Sequence, residues 1–274
     1  MRLLVAIGGS AHSTQALQMS VQLAYLSEEQ PTILTVIRTE AERPRAEKGL
    51  AEARALFQAE GIEARTVIRK GQVDLEILHE VHDGGYDLLV LGERQMHRLV
   101  TRLRGTISVR LARQAPCSVL IVKGPVRACR RVLLCESATA EPPLSERFIS
   151  GRLGRLLANA IELTVLHVMS QIPAAVQVDP SQLEADAETL IRLGAPEGEW
   201  LRQAVARLRP RCRRVRALVR HGLVVDEILT EAREGDYDWV VIGAHREHGW
   251  QRFLLDDIAH EIITQIDRSI LVVP

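Results

Sequence analysis

The sequence predicts an α/β protein built as two tandem, doubly wound parallel five-stranded sheets with helices on both faces. Three observations carry this. Short runs rich in Val, Leu and Ile alternate with helix-patterned stretches along the chain, the order of a parallel sheet with right-handed crossovers. Those runs are apolar nearly throughout, as strands covered on both faces are. The chain also repeats itself. RLLVAI at 2–7 matches RVLLCE at 131–136, and LTV at 34–36 matches LTV at 163–165, both at an offset of 129. Further on the offset is 151: Gly71 pairs with Gly222, Glu76-Ile77-Leu78 with Glu227-Ile228-Leu229, Glu80 with Glu231, Gly84 with Gly235, Tyr86-Asp87 with Tyr237-Asp238, Gly92 with Gly243, and Ser118 with Ser269. A period this long marks duplicated domains, since solenoid repeats run to about 20–50 residues.

The first copy spans residues 1–124, with strands expected at 2–7, 32–38, 64–69, 87–91 and 118–122. Between them, Leu17, Val21 and Ala24 share one helix face, and Val73, Ile77 and Val81 share another. Ile107, Leu111 and Ala115 form a third such stripe, preserved as Ile258, Ile262 and Ile266 in the second copy. Lys123 to Arg130 (KGPVRACR) reads as the linker, punctuated by Gly124 and Pro125. The second copy, residues 130–274, places its strands near 131–135, 162–168, 214–219, 238–242 and 269–273. The change of offset puts a 22-residue insertion between its second and third strands, around residues 170–192, with Gln171–Glu184 as part of it.

Composition narrows the function. Hydrophobic residues at 46% with 26% charged describe a globular protein. Lys+Arg and Asp+Glu both number 35, so no net charge favours a nucleic acid or a membrane surface, and neither partner is expected. Only Lys48, Lys70 and Lys123 are lysines, so arginine supplies nearly all the positive charge. The four cysteines, Cys117, Cys129, Cys135 and Cys212, form no CxxC pair and are expected as reduced structural thiols. No apolar run approaches the ~20 residues a membrane helix needs, and the start MRLLVAIGG is too short for a signal peptide. A cytoplasmic protein is expected.

In doubly wound sheets ligands bind beyond the carboxyl ends of the strands, near the switch in strand order. There the first copy carries Gly8-Gly9-Ser10, then Gly92, Gln95 and, nine residues later, Gly105-Thr106; Ala115-Pro116-Cys117-Ser118-Val119 leads into its last strand. With the tandem YDLLVLG and YDWVVIG strands, these motifs make the chain resemble a tandem universal stress protein, whose fold is adenine nucleotide alpha hydrolase-like. That family's pattern is a first strand ending in Asp-Gly-Ser and a G-2x-G-9x-G-(S/T) loop after the fourth. In members that bind ATP, the Asp contacts the adenine part and the loop wraps the phosphates. The chemistry needs glycines so that backbone N–H groups reach oxygens, and a helix N-terminus adds its dipole.

The pocket so implied in the first domain consists of Gly8, Gly9, Ser10, Val36, Gly92, Gln95, Arg98, Gly105, Thr106 and Ser108. Gly8 stands in place of the Asp and Gln95 in place of the second glycine, while Arg94, His97, Arg98, Arg102 and Arg104 make the loop basic. Two readings stand open: ATP or a related adenine nucleotide binds here, or Gly92 and Gly105 are only turn and helix-entry residues beside solvated arginines. In the second domain Ser137 takes the Asp position, with Glu136 one residue earlier, Arg246 replaces a glycine, and Asp256-Asp257 replace Gly-Ser/Thr. Carboxylates there repel phosphate, so no nucleotide is expected in domain two. The resemblance further implies that the last strands of the two domains pair antiparallel as an internal pseudo-dimer, that chains can associate as homodimers, and that the role is regulatory. The alternatives are an adaptor with vestigial pockets for an unidentified regulatory partner, and a slow ATP hydrolase. No catalytic role is expected.

Other constellations read as ordinary. His245, His248, Asp256, Asp257 and His260 match no metal signature, and no metal is expected. His79 and His82 close a helix, where they suit its dipole. Asp74 and Glu76 are expected on a solvated helix face. Arg207 to Arg216 (RLRPRCRRVR) holds six arginines and no aromatic, which reads as a helix-end basic cluster, with docking of an acidic partner as the alternative.

Overall fold

A computed structural model describes the chain except residues 9–10, 94–106, 138–141, 151, 170–184 and 245–250, and the side chains of 11–12, 158–159 and 251–257. The ordered elements are β1 (Leu3–Ile7), α1 (Ala11–Ala24), β2 (Thr32–Ile37), α2 (Arg43–Ala59), β3 (Arg65–Lys70), α3 (Val73–Gly84), β4 (Leu88–Gly92), α4 (Ile107–Gln114) and β5 (Ser118–Val122). They continue with β6 (Arg131–Cys135), α5 (Leu144–Ile149), β7 (Glu162–Met169), α6 (Ala187–Leu193), α7 (Pro196–Leu208), β8 (Arg214–His221), α8 (Val224–Glu234), β9 (Trp239–Gly243), α9 (Gln251–Gln265) and β10 (Ser269–Val273). All ten expected strands are present within a residue or two. The described end of the insertion is α6, capped at its start by Asp186, whose carboxylate accepts the Thr189 N–H at 2.8 Å; residues 170–184 lie outside the described residues.

The chain divides into two compact units, Met1–Ala128 with Asp267–Pro274, and Cys129–Ile266. In unit 1 the sheet order is β3-β2-β1-β4-β5-β10. The first five strands are parallel, so the order reverses direction between β1 and β4. Leu3, Leu4 and Val5 of β1 and Val119, Leu120, Ile121 and Val122 of β5 are fully buried, with Phe57 of α2 in the same core. β10 lies antiparallel to β5, Ile270 opposite Ile121 and Val272 opposite Val119, the pairing of fifth strands that the resemblance implies. The physical reason is the composition of both strands. SVLIV and SILVV are buried at every position, and an uncovered apolar edge of that kind invites mispairing. Lys123 N–H donates to Ser269 Oγ at 3.3 Å beside this pair. Lys123 is therefore buried structure, and the connecting segment begins after it.

Unit 2 has the parallel order β9-β6-β7-β8. Its core holds Leu133 and Leu134 of β6, Leu163 and Val165 of β7, Leu201 and Ala204 of α7, and Trp239 and Val240 of β9.

The residues repeated at offset 151 form one duplicated ion network. In unit 1 Arg69 donates to Glu76 at 3.0 Å, to Glu80 at 2.8 Å and to Asp83 at 3.1 Å, and the Tyr86 hydroxyl donates to Glu80 at 3.0 Å. In unit 2 Arg220 donates to Glu231 at 2.7 Å and Glu234 at 2.6 Å, and the Tyr237 hydroxyl to Glu231 at 2.7 Å. Burial pushes the Tyr237 phenol up to about 12. Gly84 and Gly235 recur because the tyrosine ring lies across them: a Cβ at either would sit 2.1 Å from the ring's Cε2. Asp87 and Asp238 recur because each carboxylate accepts the N–H of the residue opening the first strand of its unit, Arg2 at 2.6 Å and Arg131 at 2.9 Å.

Asp74 and Glu76 correct the sequence reading. Asp74 is buried and 2.8 Å from Arg110 of α4, and Glu76 belongs to the Arg69 network. Periodicity showed them opposite the apolar stripe, but basic partners from β3 and α4 cover that face.

Candidate functional site

The carboxyl ends of β2, β1 and β4 adjoin at the switch point of unit 1. Ile7 is level with Thr35 and Ala6 with Leu91, so Val36, Gly8 and Gly92 end three neighbouring strands. Thr35 Oγ1 donates to the Ile7 carbonyl at 3.0 Å, and Gly8 N–H donates to Ser13 Oγ at 3.0 Å, fixing the turn from β1 into α1. Register thus places three sequence-predicted site residues, Gly8, Val36 and Gly92, at neighbouring strand ends, and Ser108 is buried in the first turn of α4. Gly9, Ser10, Gln95, Arg98, Gly105 and Thr106 lie outside the described residues.

Two features define what this site can do. First, it is open where the family carries a carboxylate: among the described residues, a Cβ built on Gly8 meets no heavy atom within 4 Å. Second, an ion pair sits at the head of the loop. Glu93 follows β4, its N–H donating to the Val122 carbonyl at 3.0 Å, and its carboxylate lies 3.5 Å from the Lys123 ammonium. The Lys123 side chain is 3% exposed. Burial pulls its ammonium below the usual lysine range, against the opposing pull of Glu93 and Asp267. Sequence reading missed this pair, assigning Lys123 to the linker; a lysine directly after an all-apolar strand, in a chain with only three, was the available signal.

In unit 2 the residue before Ser137, the equivalent position, is a packed carboxylate. Glu136 follows β6 and is buried; its two oxygens accept the N–H groups of Leu144 at 2.6 Å and Ser145 at 2.7 Å. It satisfies the first two N–H groups of α5. Burial raises its carboxyl above the ordinary value, although the Ser145 and Leu144 hydrogen bonds pull the other way. Arg147 closes the adjacent space: its Nη1 donates to the Ala244 carbonyl at 3.4 Å, and its Nη2 lies 2.6 Å from where a Gly243 Cβ would be. Beside Glu136, His167 Nδ1 is 3.3 Å from the Glu136 carbonyl and its ring meets Trp200 edge-on at 5.4 Å. Burial pulls the His167 imidazole below its usual range. Glu136, one residue before the Asp position, is committed to the N–H groups of Leu144 and Ser145.

The side chains of Asp256 and Asp257 and residues His245 and His248 lie outside the described residues; among those described, no group of three His, Cys, Asp or Glu is arranged for a metal. All four cysteines are free thiols, and burial pushes those of Cys129 and Cys135 up. No described helix is long and apolar enough to cross a membrane.

With this geometry in place, the comparisons can be set against it. The sequence model described as the universal stress protein family matches residues 1–123 and again 146–274. A universal stress protein of Bacillus subtilis, YxiE, is 28% identical over 146 residues, 44% of this chain and 98% of its own. A universal stress protein from Archaeoglobus fulgidus superposes with a TM-score of 0.71 at 17% identity, covering 99% of this chain and 97% of its own. A putative universal stress protein from Pseudomonas aeruginosa does so with a TM-score of 0.67 at 15% identity, covering 100% and 93%. At those identities the two structures show the fold.

Proposed function

The chain belongs to the universal stress protein family, and from that premise we propose that it is a regulatory protein that binds ATP or a related adenine nucleotide in unit 1 alone. One observation supports the reading: among the described residues a Cβ at Gly8 meets nothing within 4 Å, whereas in unit 2 Glu136 and Arg147 pack around the carboxyl ends of β6 and β9. A duplicated pocket with this difference between its copies fits a single retained ligand. The basic run Arg94, His97, Arg98, Arg102 and Arg104 supplies counter-charge for phosphates, and α4 presents its N-terminus with Ser108 in the first turn. Glu93 is held by Lys123, which suits binding better than turnover, so we assign no catalytic role. We place the protein in the cytoplasm, where four free thiols persist, acting through a regulatory protein partner.

The test is mass analysis of small molecules released on denaturing freshly purified protein, with calorimetric titration of ATP. One nucleotide per chain is expected in the parent, lost in Gly105→Asp and unchanged in Arg147→Ala. Two per chain, or none with no heat, would overturn the assignment.

A further inference from the structure

The amino-terminal edges of the two sheets carry a groove in the same place, between the starts of the second and third strands. In unit 1 it is lined by residues leading into β2 and β3, among them Tyr25, Glu28, Glu29, Glu60 and Glu63. In unit 2 it is lined by Ala160 and Ile161, leading into β7, and by Arg209, Pro210, Arg211 and Arg213, leading into β8. The equivalence follows from register: Thr32 is level with Arg65, and Glu162 with Arg214.

The two grooves have opposite sign. In the first, Glu29 is paired with Arg2 at 2.6 Å, leaving Glu28, Glu60 and Glu63 to set the sign, and no Asp or Glu lines the second at Ala160–Ile161 and Arg209–Arg213. Glu28, Glu60 and Glu63 are exposed, and so are Arg209, Arg211 and Arg213. Each groove also shows apolar surface: Tyr25 is 61% exposed and Ile161 42%. The Tyr25 hydroxyl donates to Glu60 at 2.7 Å, presenting an aromatic face beside a carboxylate. That is a surface to which a guanidinium binds doubly, through a forked pair to the carboxylate and over the ring.

We propose that the chain associates head to tail with a second copy of itself, the arginine segment of one copy's unit 2 docking in the acidic groove of the other's unit 1. Complementary charge is carried by one molecule whose totals balance at 35 and 35, so the partner that fits each groove is the same chain. A heterologous contact of this kind leaves one groove of each sign unfilled on a pair, so association grows with concentration unless a ring closes. Because the groove lies at the amino ends of β2 and β3, and Gly8, Val36 and Gly92 at the carboxyl ends of β1, β2 and β4, docking leaves the nucleotide site free.

Sedimentation velocity of the full chain in about 0.1 M and about 1 M salt tests this, since screening lengths fall from about 10 Å to about 3 Å between them. The parent should show at least twice the mass at low salt that it shows at high salt. Glu60→Lys/Glu63→Lys and Arg211→Glu/Arg213→Glu should each lose the low-salt species while keeping the parent's circular dichroism, melting and ATP titration. Mixed one to one, the two variants should regain it, because each retains the groove the other needs. A parent with the same mass at both salts, or variants that fail to rescue each other, overturns the proposal. So does a low-salt species that disappears on nuclease treatment, which would assign the arginines to nucleic acid instead.

Discussion

Gly8 and Glu136 differ in what surrounds them at the ends of the first strands of the two units. Gly8 has room for a carboxylate, with no described heavy atom within 4 Å of a Cβ. Gly8→Asp is therefore expected to fold as the parent does and, by adding one hydrogen bond to the adenine side, to tighten ATP binding about tenfold in calorimetry. An unchanged Kd would place the adenine elsewhere. Glu136 works in the opposite sense. Glu136→Ala leaves the Leu144 and Ser145 amides without their acceptor, at a cost of about 2 kcal/mol in denaturant unfolding. Its titration has a defined sign. The folded carboxyl is raised from 4.5, so the folded state holds a proton that the unfolded chain has lost. The stability this confers is complete below about 4.5 and is lost as pH rises through the raised value. Glu136→Ala should flatten the stability–pH curve in that window.

At the level of elements, the repeat is a record of framework more than of ligand contacts. Arg69 and Arg220, the paired glutamates, the tyrosines and the glycines beneath their rings tie the third strand of each unit to the helix after it. Gly235→Ala must push the Tyr237 ring off the backbone and away from Glu231, and about 2 kcal/mol of destabilisation is expected by thermal unfolding. Gly49→Ala, where a Cβ meets nothing within 4 Å in the middle of α2, is the contrasting case and should be stabilising or neutral. Most of the ten strands were legible in the sequence as short apolar runs between polar helices, while β3 and β8, the strands rich in arginine, were legible mainly through the repeat. The fate of the charged residues was not. Asp74, Glu76 and Lys123 read as surface or linker because their partners come from elements distant in sequence. The bond from Glu136 to the start of α5 was not legible because nothing local reveals that this helix begins eight residues later. The motif was legible in Gly92, Gly105 and Thr106, of which Gly92 is among the described residues.

For the whole molecule, the salient arrangement is that Ser269–Val273 completes the sheet of the unit that begins at Met1. Deleting Asp267–Pro274 uncovers the edge of β5, whose five residues are all buried. In about 1 M salt the truncated protein is expected to elute as aggregates in size-exclusion chromatography, where the parent does not. Salt-dependent association through the two grooves is separate from this edge, so about 1 M salt should disperse the parent's assemblies and leave the truncated protein's intact.

The same return of the chain sets a timetable for synthesis. A ribosome adding about 5–20 residues per second makes β5 roughly 8 to 30 seconds before β10 exists. Through that interval the nascent first half exposes a strand that has no mate yet. The growing polypeptide therefore depends on something to shield that strand, and slowing translation between the two should lengthen its need for a chaperone.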